Sequence, residues 1–224
     1  MTLTFRVNGA PLALDLNHLV VAGWTGRDAA AIAHHIEELG ALGVPAPSQT
    51  PLYYRASAPL LTMAATIQTV GEASSGEVEP LIVVANGKRY LGLASDHTDR
   101  ALEVHSVAMS KQVCAKPCAE ELWDWAEIAD RIEEIELESW IEEDGAWVPY
   151  QSGTVASIRP LAELIEGSGI DALASEGPAA MLCGTFGAKG GVRPAGRFRM
   201  EMRDPATGRT IRHEYGIETL ADVA

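Results

Sequence analysis

Apolar and polar residues alternate over residues 2 to 22, as they do in strands that bury one face. The pair Asn8-Gly9 interrupts this alternation, and Asn-Gly favours the left-handed backbone of a two-residue hairpin turn. A further apolar run ends at Val20-Val21-Ala22. The sequence therefore predicts a β-hairpin over this segment.

A helix is predicted directly after this hairpin. Thr25 can cap its first turn, and Asp28 stands three residues later, in the position of a capping box. The apolar residues that follow share one helical face, and they are Ala29, Ile32, Ala33, Ile36 and Leu39. Gly40 and Gly43, ahead of Pro45, predict where the helix ends.

Strand patterns dominate the remainder of the chain. The predicted strands are short runs over 52–70, then 77–85 and 90–93 around the turn Asn86-Gly87, 135–142 with one solvated face up to the turn Asp144-Gly145, and 198–202 with 210–215. Further helices are predicted over 119–130 and 156–166. Because strands and helices do not alternate regularly, this order predicts an α+β, mainly β fold.

Length and cysteine content limit the possible architectures. The 224 residues predict a single domain over 1–224, since mixed sandwiches reach this length as one unit. A chain of this size buries roughly 70% of the surface that its unfolded form exposes, so it needs neither disulfides nor a structural metal. Cys114, Cys118 and Cys183 contain no Cys-x-x-Cys pair, which favours a reducing compartment.

The formal net charge of −14 limits the possible partners. It argues against nucleic acid, since phosphate binding depends on Lys and Arg, and it favours a multivalent cation. The acidic residues of 133–144 are equally consistent with a solvated face that binds no ligand. The first residues show no secretory signal pattern, and no run of eighteen apolar residues occurs, so a cytoplasmic protein without membrane association is predicted.

Glu77 and Glu79 are the first candidate site. They stand two residues apart in a strand-like segment, so their carboxylates point to one face. Leu81 and Val83 continue that face into the apolar interior, where two unpaired carboxylates would repel each other. A bound Mg²⁺ or Ca²⁺, which takes several oxygen ligands, would remove this repulsion. An exposed strand start without a ligand is the alternative interpretation.

Two further groups could contribute chemistry. Asp96, within Ser95-Asp96-His97-Thr98-Asp99-Arg100, is a candidate third carboxylate, although such a cluster is commonly only a turn. His35 and Glu38 are neighbours on one helical face and could act as a base oriented by a carboxylate, or form a solvated charge pair. The glycine-rich segment 184–191 lacks the spacing of a phosphate-binding loop, but its amides and the Thr185 hydroxyl could bind a carboxylate.

Together these segments resemble the fumarylacetoacetate hydrolase superfamily. Its members share a helix with H-x-x-E, then E-x-E, an N-D-x-x-x-R-like segment, a lysine and a late Gly-Thr-Pro loop, and similar segments occur here in that order. Ser95 and Phe186 depart from the pattern, which usually has Asn and Pro there. Within the superfamily the sequence is most similar to a bacterial branch of uncharacterised function.

The resemblance implies a fumarylacetoacetate hydrolase-like mixed β-sandwich roll with a few short helices. It implies that His35, Glu38 and Lys111 are catalytic and that Glu77, Glu79 and Asp96 bind the metal. The expected substrate-binding residues are Thr185, Gly184, Gln151 and Arg100. His97 and Asp99 stand close to the metal ligands in sequence, and the family pattern gives them no role.

The implied activity is that of a metal-dependent hydrolase or lyase that cleaves a carbon-carbon bond in a small oxo acid or diketo acid, such as an acylpyruvate or oxaloacetate. Mg²⁺ or Ca²⁺ is the expected cofactor, with Mn²⁺ also compatible, and a homodimer is expected by resemblance. One alternative is a ligand-binding member of the fold without turnover. Another is a zinc hydrolase that uses His34, His35, His97 and His105.

Overall fold

A computed structural model describes residues 2–41 and 43–223, and the side chains of His35, Glu38, Leu39 and Ala41 lie outside the described part. The strands are β1 Thr2–Val7, β2 Ala10–Asp15, β3 His18–Gly23, β4 Leu52–Ala56, β5 Leu61–Thr62, β6 Thr66–Val70, β7 Ser74–Ser75, β8 Val78–Ala85, β9 Lys88–Ser95, β10 Thr98–Asp99, β11 Lys116–Pro117, β12 Glu121–Asp124, β13 Glu136–Glu143, β14 Ala146–Thr154, β15 Ala179–Leu182, β16 Arg197–Arg203 and β17 Thr210–Leu220.

The α-helices are short compared with the strands. They are α1 Ala29–Ala41, α2 Arg100–Glu103, α3 Val107–Gln112, α4 Leu161–Ser168 and α5 Ile170–Leu173. No helix among the described residues is long and apolar enough to cross a membrane.

In the described part of the chain the longer strands form two sheets. The first sheet has the order β2-β1-β12-β9-β8-β15-β3-β4, and the second has the order β14-β13-β16-β17-β6. Ile82 of the first sheet and Phe198 of the second belong to one buried apolar cluster, so these faces pack as a sandwich. Phe5 and Val21, from strands far apart in the first sheet, share a second cluster on its other face. The first sheet is therefore curled, and the predicted mainly β, α+β fold is confirmed.

Tight turns set the register of the hairpins. Asn8-Gly9, Asn86-Gly87 and Asp144-Gly145 all have positive φ angles, as two-residue hairpin turns of this kind require. They join β1 to β2, β8 to β9 and β13 to β14. The first two hairpins were predicted from the sequence, whereas at the third only the strand before the turn was predicted, and β14 was not. In the second of these hairpins, Val78 pairs with Ser95. The start of β8 and the end of β9 therefore lie side by side.

The predicted first hairpin extends too far along the chain. Residues 18–23 form β3, which pairs with β4 and β15 and not with β2. Val20 and Val21 are both buried, on opposite faces of the sheet. A strand that is buried on both faces belongs inside a sheet, with a neighbouring strand on each side. This burial explains why β3 pairs with β4 and β15.

The helix after β3 begins later than predicted. The Asp28 carboxylate accepts hydrogen bonds from the amides of Ala30 and Ala31, at 2.8 and 3.1 Å, so Asp28 caps α1. Thr25, the predicted cap, is buried, and its carbonyl accepts a hydrogen bond from the amide of Arg159.

Two other helix predictions were wrong in part. Within the predicted helix 119–130, residues 121–124 form β12, because pairing with β1 and β9 buries Leu122 and Trp123. The predicted helix 156–166 begins only at Leu161. Pro160 precedes it, and the residue before a proline is kept out of helical backbone.

Candidate metal centre

Three carboxylates converge where β8 begins and β9 ends. Glu77 precedes β8, Glu79 lies within it, and Asp96 follows β9. One ligand oxygen from each residue lies within 4.8 Å of the others. Strand alternation places the two glutamates on one face, and the amide of Asp96 donates to the carbonyl of Glu77 at 3.0 Å. The described residues contain no other group of this kind, and this one includes no histidine.

Glu79 is the buried member of this group, with 1% of its surface exposed. Its Oε2 accepts a hydrogen bond from the amide of Gly184 at 2.8 Å. Burial raises the pKa of Glu79 well above its usual value, and the charges of Asp96 and Glu77 raise it further. A cation between the three carboxylates would therefore favour the ionised form of Glu79.

Asp96 is held by two lysines. Lys111 contacts its Oδ2, and the Lys116 Nζ lies 2.9 Å from its Oδ1. Burial raises the pKa of Asp96, but the charges of Lys111 and Lys116 outweigh burial and hold that pKa below the usual range. Burial lowers the pKa of Lys111, yet the three surrounding carboxylates outweigh it and raise that pKa above its ordinary value. Lys111 therefore remains an ammonium group.

Lys116 is a part of this site that the sequence analysis did not identify. It is fully buried, and its ammonium also donates to the carbonyl of His97. Burial lowers its pKa, the charge of Asp96 opposes this, and the like charge of Lys111 adds to the lowering. The available signal was its place in the run Cys114-Ala115-Lys116-Pro117-Cys118, where a lone lysine stands among apolar residues.

Arg100, expected to bind substrate, contacts two protein carboxylates, and its predicted role stays a prediction. Its guanidinium lies 3.0 Å from Oε1 of Glu77 and 3.2 Å from Oε2 of Glu103. Its Nε donates to the Ser75 hydroxyl at 2.8 Å. These contacts fix the position of Glu77.

Gln151 and Thr185 also bond to the protein. The Gln151 Oε1 accepts from the Val78 amide at 2.9 Å and from the Ser139 hydroxyl at 3.0 Å, and its Nε2 donates to Thr185 and to the Phe186 carbonyl, both at 2.8 Å. The Thr185 hydroxyl donates to the Val78 carbonyl at 2.7 Å. The two side chains thus attach the loop after β15 to β8, next to the amide that binds Glu79.

His97 and Asp99 have structural partners. The His97 Nδ1 lies 3.1 Å from the Tyr215 hydroxyl, and its Nε2 lies 3.0 Å from the Ser74 hydroxyl. Burial and the charges of Lys116 and Arg100 lower the pKa of His97 to about 3, so its ring is neutral. The Asp99 carboxylate caps α2 by accepting from the Leu102 amide at 2.9 Å.

The remaining histidines give the zinc alternative no support in the described part of the chain. His34 and His105 are exposed, and neither belongs to a group of metal-ligating side chains. His35 and Glu38 lie on α1, but their side chains are outside the described residues. Their predicted catalytic role stays a prediction.

A wide surface depression of about 800 Å³ lies at the opposite end of the β8–β9 hairpin. It is lined by Arg89 and Trp125, among others, and the Arg89 guanidinium forms an ion pair with Asp171 at 2.6 Å. None of the converging carboxylates lines it. The candidate metal centre is therefore separate from this depression.

A model of the family described as "Protein of unknown function (DUF2848)" matches residues 22–215, which is most of the chain. The chain belongs to the DUF2848 family. The matched segment contains all three carboxylates and both lysines of the site. No match to this DUF2848 chain was found among curated protein sequences.

Solved structures show a similar fold. A fumarylpyruvate hydrolase from Pseudomonas aeruginosa, in complex with Mn²⁺ and pyruvate, has 13% sequence identity and a TM-score of 0.61, with 99% of this chain and 97% of that chain covered. A 2-keto-3-deoxy-D-arabinonate dehydratase, complexed with magnesium and 2,5-dioxopentanoate, has 15% identity and a TM-score of 0.61, with 93% and 75% covered. At such identities the likeness shows the fold, and the resemblance to the fumarylacetoacetate hydrolase superfamily is confirmed at that level.

Proposed function

We propose that this chain is a divalent-metal-dependent enzyme that acts on a small oxo acid or diketo acid. The observation that carries the proposal is the convergence of Glu77, Glu79 and Asp96, of which Glu79 is fully buried against two other carboxylates. The two similar structures were solved with Mn²⁺ or magnesium and with an oxo compound, which supports the same class of ligand here.

The donor set fits a hard cation. Three carboxylates offer only oxygen ligands, which Mg²⁺ and Mn²⁺ prefer and which suit Zn²⁺ less well. Burial and the repulsion from Asp96 and Glu77, which Lys111 offsets only in part, still raise the pKa of Glu79, and this adds a reason for a further positive charge at this point. Mg²⁺ and Mn²⁺ are therefore the proposed cofactors. Ca²⁺ is supported only by its preference for oxygen ligands.

When bound, the cation would polarise the oxo and carboxylate oxygens of the substrate and stabilise the negative charge that develops as a carbon-carbon bond breaks. Lys111 would bind the same oxygens as a hydrogen-bond donor and not act as a base, because its pKa lies above the ordinary value. His35, oriented by Glu38, would take the proton of the attacking water in hydrolysis or return a proton in decarboxylation.

Three residues expected to bind substrate are proposed to position the ligands of the cation. Arg100 holds Glu77 through its 3.0 Å contact. Gln151 and Thr185 fix the loop whose Gly184 amide bonds to Glu79. Their substitution should therefore weaken metal binding together with turnover.

The first prediction tests the metal and the activity together. Glu79→Gln should lower the affinity for Mn²⁺ at least about tenfold, because it removes an anionic ligand. Isothermal titration with Mn²⁺ measures the affinity, and an assay of acylpyruvates and oxaloacetate with and without Mg²⁺ measures turnover. Glu134→Gln, which changes an exposed glutamate, is the matched control.

The outcomes separate the possible functions. Metal binding and metal-dependent turnover, both lost in Glu79→Gln and kept in the control, would support the enzyme. Metal binding without turnover of any oxo acid would favour a ligand-binding protein. Mn²⁺ affinity that is equal in wild type and Glu79→Gln would rule out the metal centre.

A further inference from the structure

Two lysines of the candidate metal centre contact the same carboxylate. Lys111 contacts Oδ2 of Asp96, and the Nζ atom of Lys116 lies 2.9 Å from Oδ1. One ammonium group is enough to compensate the single charge of a carboxylate. A second one would repel any cation that this carboxylate binds, because like charges at short distance raise the energy of the site. Neutralisation of Asp96 alone therefore does not account for Lys116.

The pairing of β11 with β5 places Lys116 in the interior, where it lies opposite Leu61. No part of the Lys116 side chain is exposed. A lysine is almost never buried to this extent unless it is paired. Its partners are the Asp96 carboxylate and the His97 carbonyl, so its charge acts on the segment that carries a metal ligand.

The two lysines differ in what they can reach. The Lys111 side chain keeps 8% of its surface exposed, whereas the Lys116 side chain has no exposed surface. Lys111 can therefore touch a ligand of the centre, and Lys116 cannot. Lys116 acts on a ligand only through its charge and through Asp96, which it contacts.

The charges around the centre leave a small negative excess. Among the described residues, contacts at the centre join four carboxylates and three cations, which are Glu77, Glu79, Asp96 and Glu103 with Arg100, Lys111 and Lys116. When all four carboxylates are ionised, one negative charge is uncompensated. A bound divalent cation would change this excess into one positive charge.

The carboxylate of an oxo acid carries the one negative charge that the loaded centre would lack. The cation and the acid together would therefore bring the centre to neutrality. Without the charge of Lys116, the cation alone would do so. Because an uncompensated charge is unfavourable in a buried site, Lys116 makes retention of the cation depend on an anionic ligand.

We propose that Lys116 couples the binding of the divalent cation to the binding of an anionic oxo acid. Its charge would weaken the binding of the cation alone and would leave the loaded centre with a positive charge that attracts the acid. This inference rests on the proposed function and adds how the two ligands of that site depend on each other.

Equilibrium binding tests the coupling without relying on turnover. Isothermal titration with Mn²⁺, with and without saturating pyruvate, is carried out on metal-free wild type and Lys116→Gln. The glutamine removes the charge and keeps an amide that can donate to the His97 carbonyl. Without pyruvate, Lys116→Gln should bind Mn²⁺ at least about tenfold more tightly than wild type, because the charge of the site sets its affinity. Pyruvate should tighten Mn²⁺ binding about tenfold in wild type and less than about threefold in Lys116→Gln, since coupling between two ligands is commonly of the former size.

Two features of the experiment separate charge from a merely structural role. A Lys116 that only supports Asp96 predicts the opposite sign, because loss of that support would weaken Mn²⁺ binding in Lys116→Gln. Lys88→Gln, which removes the charge of an exposed lysine at the far end of the β8–β9 hairpin, is the matched control and should behave as wild type. Circular dichroism before each titration shows whether the variant is folded.

The outcomes distinguish the coupling from the function on which it rests. Mn²⁺ affinity in folded Lys116→Gln that is equal to or weaker than that of wild type would overturn the inference. Equal Mn²⁺ affinity of wild type with and without pyruvate would also overturn it, even where Lys116→Gln does not fold. Absence of Mn²⁺ binding to wild type under both conditions would overturn the proposed function, and the coupling with it.

Discussion

At the scale of single residues, the negative charge of Asp96 is compensated by two buried lysines, which come from different elements of the chain. Lys111 lies on a helix that follows the site, whereas Lys116 reaches the same carboxylate from β11. Removal of one partner from a buried ion pair leaves an uncompensated charge.

The second prediction follows from this arrangement. Lys116→Met should destabilise the metal-free protein by about 3 kcal/mol, because Asp96 and the His97 carbonyl lose a buried donor. Urea unfolding measures the loss, and Lys88→Met, at an exposed lysine, is the control. A loss below about 1 kcal/mol would mean that Lys111 alone suffices to compensate Asp96.

Asp204 gives the third prediction, away from the metal centre. Hydrogen bonds from Arg131, Thr207 and the Ala206 amide lower the pKa of Asp204 to about 2, below its ordinary value of 3.8. The folded state thus favours the ionised form. This contribution to stability is complete above the unfolded pKa and is lost as the pH falls through about 2.

Asp204→Asn should therefore lower the stability at neutral pH by about 1 to 3 kcal/mol, the cost of weakening hydrogen bonds to a charged group. The difference between wild type and variant should shrink as the pH falls from 4 to 2, roughly the interval between the two pKa values. Urea unfolding across this range measures it. A difference that is independent of pH would show that the charge of Asp204 is not the cause.

Single residues also show how far the sequence predicts the site. Glu77 and Glu79 could be assigned to one face, because strand alternation is local. Lys116 could not be placed at Asp96, because that contact depends on the pairing of β11 with β5, which joins distant parts of the chain. Arg100 and Gln151 were predicted at the site, but their partners follow from packing that no short motif specifies.

At the scale of elements, α1 is attached at its start and carries the predicted dyad. The Arg27 Nε donates to the Ile158 carbonyl at 2.9 Å, and its guanidinium pairs with Glu133 at 2.8 Å. His35 lies two turns further along this helix. Its predicted role is to move protons and not to bind the metal.

The fourth prediction separates these two roles. His35→Ala should keep the Mn²⁺ affinity of wild type and lose about 10² to 10⁴-fold in turnover, the usual contribution of general acid-base catalysis. His34→Ala, one position away on the same helix, should retain turnover. Undiminished turnover in His35→Ala would remove this residue from the mechanism.

Elements also differ in how well the sequence predicts them. The hairpins at Asn8-Gly9 and Asn86-Gly87 followed from local turn chemistry. Residues 121–124 have a pattern that suits a helix, but their position inside the first sheet, between β1 and β9, imposes a strand. Here the long-range contact outweighs the weak local preference.

At the scale of the whole molecule, apolar packing occurs on both faces of the first sheet. One cluster lies between the two sheets, and the other lies inside the curl of the first sheet. Neither depends on the three carboxylates. A cation would therefore add stability to a protein that is already folded. The homodimer expected from the family resemblance is a separate question and stays a prediction.

The fifth prediction concerns removal of the metal. A chelator should lower the melting temperature by a few degrees, because a ligand that binds only the native state adds RT ln(1 + [L]/Kd) to its stability. Thermal unfolding with and without chelator measures the shift, and Glu79→Gln should show none. Complete unfolding in chelator at room temperature would instead indicate a structural metal.

The turn Asn86-Gly87 lies at the far end of its hairpin from the carboxylates. The number of residues in this turn nevertheless sets the register of β9 against β8, and with it the position of Asp96 relative to Glu77 and Glu79. Since Val78 is paired with Ser95 along an unbroken ladder, one extra residue in either strand or in the turn would shift every later position of β9 by one. A shift of one residue in a strand reverses the face of each side chain, so Asp96 would no longer meet Glu77 and Glu79. In this hairpin, insertions and deletions far from the site should be selected against as strictly as loss of a ligand, while many exposed substitutions there remain neutral.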